Sequence, residues 1–382
     1  MTHSILIVID SLNRGGAERH VSVVFPHLQK KGFNISVFIF SPKSGFSSYL
    51  EQKNIKIYTP FLINFWLKLG KFGKLVLLPL AVLQLTVLMI LKRFDIVHCY
   101  LTKSYILGSM AAILSGRKVR VMSRRSLNDY QSKYPLLSKI EHFLHTKMTK
   151  ITANSQAVYA QLIEEKIPQA KLKLIHNGIN PAAFPISLEP VTRSSLHIPS
   201  HALVMIIVAN LFPYKGHEDL INALSLIQVQ LPQPWRLLCV GRDTGLQKDL
   251  QKKAQSLGVE NQIIWLGERN DVFDLLKLAD INILCSHEEG FSNSLLEAMV
   301  VGLPTIATQV GGNQDAITHQ VTGLLVSSKN SPQLAQAILE LANNPEKRQF
   351  LGANAKKVVE EKFNLEKCVD AYKALYEELL RV

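Results

Sequence analysis

Short apolar blocks recur along the chain, and the intervals between them carry a helical period. Ile5–Ile9, Ile35–Phe40, Ile96–Cys99 and Val119–Met122 are near-continuous hydrophobic runs in the first half. Val204–Ala209, Leu237–Val240, Ile263–Leu266, Ile281–Leu284 and Thr305–Ala307 repeat the theme in the second. Runs this short, apolar at odd and even positions alike, predict strands buried on both faces. Ala17–Lys31, His217–Gln230, Asp271–Ala279 and Pro332–Leu341 place hydrophobic residues at helical spacing between them. Strand–helix alternation predicts parallel sheets covered by helices, and two such series predict two Rossmann-like domains. The stretch 181–200, PAAFPISLEPVTRSSLHIPS, has four Pro and four Ser and neither period, so it reads as a linker. The expected domains are therefore residues 1–186 and 187–364, with the chain's end treated below.

Two stretches depart from this alternation. Leu75–Leu91, LVLLPLAVLQLTVLMIL, interrupts its apolar run only at Pro79, Gln84 and Thr86. A spanning helix needs about 20 apolar residues. A span here would also put the strands at Ile5–Ile9 and Ile96–Cys99 on opposite sides of a membrane, which excludes it. The segment is read either as a helix packed on the sheet or as one that also dips into a bilayer surface. Lys133–Lys150 repeats Leu136, Leu137, Ile140, Phe143, Leu144 and Met148 at helical spacing among four lysines. It is a basic amphipathic helix, suited to a membrane surface or to an ordinary protein surface.

Composition narrows the class. The chain has 382 residues, 47% hydrophobic and 19% charged, which suits two globular cores and excludes disorder, collagen and coiled coil as the main state. Cys99, Cys239, Cys285 and Cys368 form no CxxC pair, so neither a disulfide framework nor a structural zinc site is expected. MTHSILIVID lacks a basic leader and reads as a first strand rather than a signal peptide. Charge is uneven. Residues 1–186 hold 25 Lys and Arg against 8 Asp and Glu, a net of +17, whereas residues 187–382 hold 18 against 22, a net of −4. The first half is thus expected to meet a polyanion: an anionic membrane, a nucleic acid or a phosphorylated substrate. No basic–aromatic interleaving or nucleic-acid motif accompanies the charge, so nucleic acid is not the expected partner.

Candidate chemistry gathers at four turns. In IDSLNRGGAERH, Gly15 and Gly16 sit where strand gives way to helix and can let backbone N–H groups approach an anion. In VANLFPYKGH, Lys215 follows a buried strand and can reach a phosphate over the sheet's C-terminal edge. In HEEGFSNSLLEAM, Glu289 and Glu297 flank Gly290, Phe291, Ser292 and Asn293. Ser292 or Asn293 can cap the next helix, leaving the amides of residues 291–294 as a phosphate cradle. Carboxylates on either side can accept hydroxyl hydrogen bonds, Glu297 from a ribose and Glu289 from a sugar. In VGGNQDAI, Gly311 and Gly312 make another tight turn, with Asp315 near a helix start.

Taken in order, RGGAERH, ITANSQAV, KLIHNGIN, VANLFPYKGH, LADINILCS, EEGFSNSLLEAM, GLPTIATQVGGNQDAI and TGLLV resemble the family-4 glycosyltransferases over nearly the whole chain. The resemblance implies the GT-B fold, two Rossmann-like parallel-sheet domains facing a central cleft. It implies that the last helix, about Leu365–Arg381, packs back on the first domain. It implies a retaining transfer from a UDP- or GDP-sugar, without metal or cofactor, and no DxD motif occurs. Lys215 and Glu289 would be the catalytic pair. Gly16, Asn210, Arg242, Gly290, Phe291, Ser292, Asn293 and Glu297 would complete the donor site. Gly15, Tyr100, Arg124 and Arg125 are the candidates for the acceptor. The chain departs from the family's pattern at Asn210, where many members have Arg, a loss of charge that weakens phosphate binding unless Arg242 or another cation substitutes. It departs again at Tyr100, where many have His, and at Asp315, where Glu is usual. His98 is expected to point away from Tyr100 and into the core. The implied activity is hexose or N-acetylhexosamine transfer to a lipid-linked glycan in bacterial surface-polysaccharide synthesis. The enzyme would work from the cytoplasm, held peripherally at the inner face of the cell membrane. A nucleotide-sugar epimerase and a non-enzymatic nucleic-acid binder are the alternatives.

Overall fold

The computed structural model describes residues 3–381 except 14, 62, 69, 129–130, 132 and 182–190, with the backbone alone at 65–67 and 71–77. The chain divides into two compact units, one of residues 1–178 with 365–382, the other of residues 179–364.

The first unit is built on a seven-stranded parallel sheet. Its strands are β1 (Ser4–Ile9), β2 (Asn34–Ile39), β3 (Lys56–Tyr58), β4 (Ile96–Tyr100), β5 (Val119–Arg124), β6 (Lys150–Ala153) and β7 (Leu172–Leu174). Their order is β3-β2-β1-β4-β5-β6-β7. Ile5 pairs with Ile35 on one side and Ile96 on the other, so strand order reverses between β1 and β4. Helix Gly16–Lys30 covers one face and helices Gly70–Lys92, Thr102–Leu114 and Pro135–Lys147 the other. Helix Leu365–Leu380 joins the first of these layers. Leu365, Cys368, Val369, Tyr372, Leu375, Tyr376 and Leu379 fall on one stripe and are buried with Val21, Phe25 and Leu28.

The second unit has a six-stranded parallel sheet. It comprises β8 (Leu203–Val208), β9 (Trp235–Val240), β10 (Ile263–Gly267), β11 (Ile281–Leu284), β12 (Thr305–Thr308) and β13 (Leu324–Val326). The order β10-β9-β8-β11-β12-β13 again reverses at the first strand of the unit, between β8 and β11. Such a reversal opens a crevice at the C-terminal ends of the strands, where α/β sheets take ligands.

Three readings change. The first unit ends at Gly178 rather than 186, because Ile179 already donates its N–H to Phe363 and bridges Asn364 inside the second unit. The described part of the supposed linker, 191–200, is likewise built into the second unit. There Arg193 donates to the carbonyls of Ala202 and Leu278 and pairs with Asp280. The basic helix is shorter than Lys133–Lys150: it covers Pro135–Lys147, and Lys150 opens β6. β3, β6 and β7 lie outside the apolar runs because Lys56, Lys150 and Lys173 interrupt strands of three or four residues, and β13 has only three residues.

Candidate active site

The second unit brings the strongest candidates together at its switch point. After β8 the chain passes through a short 3₁₀ turn, Pro213–Lys215, and reverses at Gly216 to start helix His217–Ile227. After β11 it runs through residues 285–292 into helix Asn293–Val300. These neighbouring exits place Lys215 Nζ 2.6 Å from Glu289 Oε1. Ser286 Oγ donates to the same carboxylate oxygen at 2.7 Å. The pair is mostly buried, Lys215 17% and Glu289 9% exposed, so Glu289 is not a solvated loop acid. Both charges are desolvated yet stay at the sheet's edge, which suits a site that meets a polar ligand.

Ser292 is the cap of the second helix: its Oγ accepts from the Leu295 N–H at 3.3 Å. The first-turn amides of that helix stand where an anion is favoured. Glu297 lies one turn in and is 3% exposed, so it is no surface acid either. Asn210 is half-buried and its Oδ1 accepts from the Arg242 N–H at 3.0 Å, tying the β8 exit to the β9 exit. Arg242 itself is exposed.

Glycine sets how closely these loops meet. A Cβ on Gly311 would lie 1.7 Å from the Glu289 carbonyl oxygen, and Gly311 has φ +48°. A Cβ on Gly216, at φ +73°, would lie 2.0 Å from the Cys285 carbonyl oxygen. No other residue type fits either place without moving the loop that carries Glu289. Gly312 N–H donates to Gly290 at 2.9 Å, completing the packing of the β12 exit on the β11 exit. Asp315 sits in the short helix Asn313–Ala316 that follows.

Sequence reasoning passed over the residues that brace this loop. Ser286 is one; His287 is another, its Nε2 2.6 Å from Asp219 Oδ2 and its N–H on the Tyr214 carbonyl at 2.7 Å. Their signal was adjacency to Glu289, which a motif search reads as filler.

The first unit's candidates behave differently. Gly15 precedes helix Gly16–Lys30 at the β1 exit, in extended conformation. The Glu18 carboxylate folds over this turn, 2.3 Å from where a Gly15 Cβ would be. Asp10 and Glu18, neither singled out from the sequence, both stand at this edge with burial raising their pKa values. Arg125 is half-buried and donates to Asn177 Oδ1 at 2.6 Å.

Two acceptor candidates fail. Tyr100 is fully buried among Phe25, His20 and Tyr372. Arg124 is 2% exposed, pairing with Glu141 at 2.9 Å and Glu165 at 2.7 Å. Burial raises the Glu165 carboxyl, but His145 and Arg124 outweigh it and bring the group down to about 2. Its side chain is thus spent on holding helix Pro135–Lys147 to the sheet. His98 is in the core, donating or accepting between Tyr376 Oη at 2.6 Å and Ser123 Oγ at 2.8 Å. It does not point away from Tyr100: the ring centroids are 4.5 Å apart, because residues two apart in a strand share a face. Cys99, Cys239, Cys285 and Cys368 are all buried free thiols.

Two doubly wound sheets, with a cation–carboxylate pair at one switch point beside a helix N-terminus, define an α/β protein suited to an anionic ligand at the ends of its strands. Residues 14–183 match the family model Glycosyltransferase Family 4, and residues 189–358 match Glycosyl transferases group 1. The chain belongs to the family-4 glycosyltransferases and is a transferase enzyme with the GT-B fold. It is 26% identical over 293 residues to the N-acetyl-alpha-D-glucosaminyl L-malate synthase of Bacillus anthracis, covering 76% of each chain. It is 24% identical to an Escherichia coli UDP-Gal:alpha-D-GlcNAc-diphosphoundecaprenol alpha-1,3-galactosyltransferase, over 75% of this chain and 76% of that one. In fold it matches the crystal structure of Anabaena HepE in complex with UDP and glucose, with a TM-score of 0.85 and 24% identity, over 98% of this chain and 100% of that one.

Proposed function

We propose that the enzyme transfers a hexose or N-acetylhexosamine, with retention, from a UDP- or GDP-sugar to a lipid-linked glycan acceptor. The setting is the synthesis of a bacterial surface polysaccharide at the inner face of the cell membrane. The Lys215–Glu289 pair at the second unit's switch point carries the reading. A diphosphate over this edge meets the Lys215 ammonium and the amides at the start of helix Asn293–Val300, both favourable to anions. As the bond from the anomeric carbon to the phosphate oxygen breaks, negative charge grows on the diphosphate and Lys215 holds it. Glu289, with Ser286 fixing one oxygen, presents the other to sugar hydroxyls. Glu297 accepts from the ribose. The acceptor oxygen bonds to the anomeric carbon on the side the phosphate leaves, and the departing phosphate takes the acceptor's proton. In this scheme Lys215 and the helix N-terminus supply the positive charge, so no metal or cofactor is required. Names of relatives support the donor and the acceptor class: one acts with UDP-Gal on a diphosphoundecaprenol-linked sugar.

The test is a thermal-shift panel with UDP, GDP, ADP and their sugar conjugates. A ligand that binds the native state raises the melting temperature. A rise with UDP or GDP, lost in Lys215→Ala, is the expected result. No rise with any nucleotide at millimolar concentration overturns the proposal.

A further inference from the structure

Three neighbouring helices of the first unit carry more exposed apolar surface than a solvated sheet cover needs. Thr102–Leu114 is the middle one. Tyr105 Oη meets His145 Nδ1 at 2.7 Å and Ser109 Oγ lies 3.8 Å from Met148 Sδ, fixing the helix Pro135–Lys147 on one side. Ser115, at its C-terminus, sets its Oγ 3.4 Å from Met89 Sδ of helix Gly70–Lys92 on the other. The inward sides are ordinary core: Val82, Leu85, Met89, Ala111, Ala112 and Leu144 are buried together.

The outward sides are not ordinary surface. On Gly70–Lys92, Leu80, Leu83, Val87, Ile90 and Leu91 form an exposed stripe at helical spacing, and Leu91 is 74% exposed. Met110, Ile113 and Leu114 continue it on the middle helix. Leu136, Ile140 and Phe143 do so on the third, Leu136 being 72% exposed. Soluble surfaces rarely gather exposed apolar side chains across several adjacent elements without a partner.

Charge says what the partner is. Among the three helices the sequence places one acid, Glu141, and it is fully buried against Arg124. Lys92, Lys103, Lys139 and Lys147 are exposed. Lys147 Nζ lies 5.4 Å above the Phe143 ring, a long side chain over an apolar one with its charge outward. An apolar centre, a basic fringe and no exposed carboxylate match an anionic lipid surface: acyl chains take the apolar stripe and headgroup phosphates take the lysines. Among the described residues no helix is long and apolar enough to cross a membrane.

We propose that this three-helix face is a docking surface for an anionic lipid bilayer, lying in the headgroup layer without spanning it. It deepens the proposed function by giving the enzyme a surface on which a lipid-linked acceptor is presented, and rests on that reading only there.

The test is flotation of the full chain with vesicles of phosphatidylglycerol and phosphatidylethanolamine, against vesicles of phosphatidylcholine alone. Wild-type protein is expected to float with the anionic vesicles and to be released by salt. The triple variant Leu83→Glu, Leu114→Glu, Phe143→Glu is expected to lose at least tenfold in vesicle partition and to keep its melting temperature, since each side is already exposed. Val229→Glu, on the other unit and 87% exposed, is expected to float as wild type. Equal flotation of the triple variant and wild type overturns the proposal, as does equal binding to both vesicle types. So does a wild-type dimer that falls apart in the triple variant with no vesicle binding, which would make the face a self-interface. The nucleotide panel run on the same samples separates the two readings: vesicle binding without a nucleotide shift removes the proposed UDP- or GDP-sugar donor site and leaves the docking face standing.

Discussion

Replacing Gly311 by Ala tests whether loop packing positions Glu289. The added Cβ starts 1.7 Å from the Glu289 carbonyl oxygen and must move beyond 3.0 Å. The atom it meets is backbone, so the strand exits themselves must part. The left-handed conformation at φ +48° adds about 1–2 kcal/mol for any residue with a Cβ. Overpacking of this kind adds about 1–3 kcal/mol. The sum, roughly 2–5 kcal/mol, corresponds to a melting temperature lower by roughly 5–15 °C for a unit of this size. A displacement of about 1 Å at a positioned group costs on the order of 100-fold in turnover. Donor affinity, measured by titration calorimetry with the nucleotide-sugar that gives the largest thermal shift, should weaken at least tenfold. Gly258→Ala is the control. It shares the left-handed conformation at φ +69° but has no atom within 4 Å of the new Cβ. It should lose only the conformational part, about 1–2 kcal/mol, and bind donor as wild type does. The reasoning fails if Gly311→Ala binds donor normally, or if Gly258→Ala is equally damaged.

Lys215→Ala and Glu289→Ala should each lower sugar transfer at least tenfold with the fold retained by circular dichroism; normal turnover in both would remove the pair from the site. Ser286→Ala frees one Glu289 oxygen from its hydroxyl donor and should weaken the donor sugar conjugate more than the free nucleotide, read by competition. Burial holds His98 down to about 3 and His217 down to about 4, so each stays neutral in the folded chain while its unfolded counterpart takes a proton below about 6.5. Stability is therefore full above that pH and falls as pH drops through it, by up to about 1.4 kcal/mol per pH unit for each imidazole. Urea midpoints that do not move between pH 7 and 5.5 would contradict this. Arg124→Met leaves Glu141 and Glu165 buried without their cation and should cost about 3–5 kcal/mol in denaturant titration. Transfer activity should survive EDTA if Lys215 supplies the charge; its loss and rescue by a divalent metal would count against the proposed chemistry.

What the sequence determined by itself is what depends on local periods and on ordered motifs. The buried runs mark nine of the thirteen strands among the described residues, because a strand with both faces covered is apolar at most positions. The glycine-, serine- and acid-rich turn around Glu289 announced an anion-facing helix start, because capping and anion binding draw on neighbours in sequence. The tertiary structure alone decided which residues share a site. Lys215 and Glu289 are 74 positions apart and meet only because β8 and β11 lie side by side. Arg124 and Tyr100 look equally available in sequence, yet one serves Glu141 and Glu165 and the other the core, a matter of which helices cover β4 and β5. The same holds for the outward stripe of helix Gly70–Lys92. Its sequence shows an apolar helix; only packing shows that Val82, Leu85 and Met89 satisfy the sheet while Leu83, Val87 and Leu91 remain in the open. Periodicity is a property of one element, whereas burial is a relation among several, and a linear pattern cannot state which neighbour will arrive.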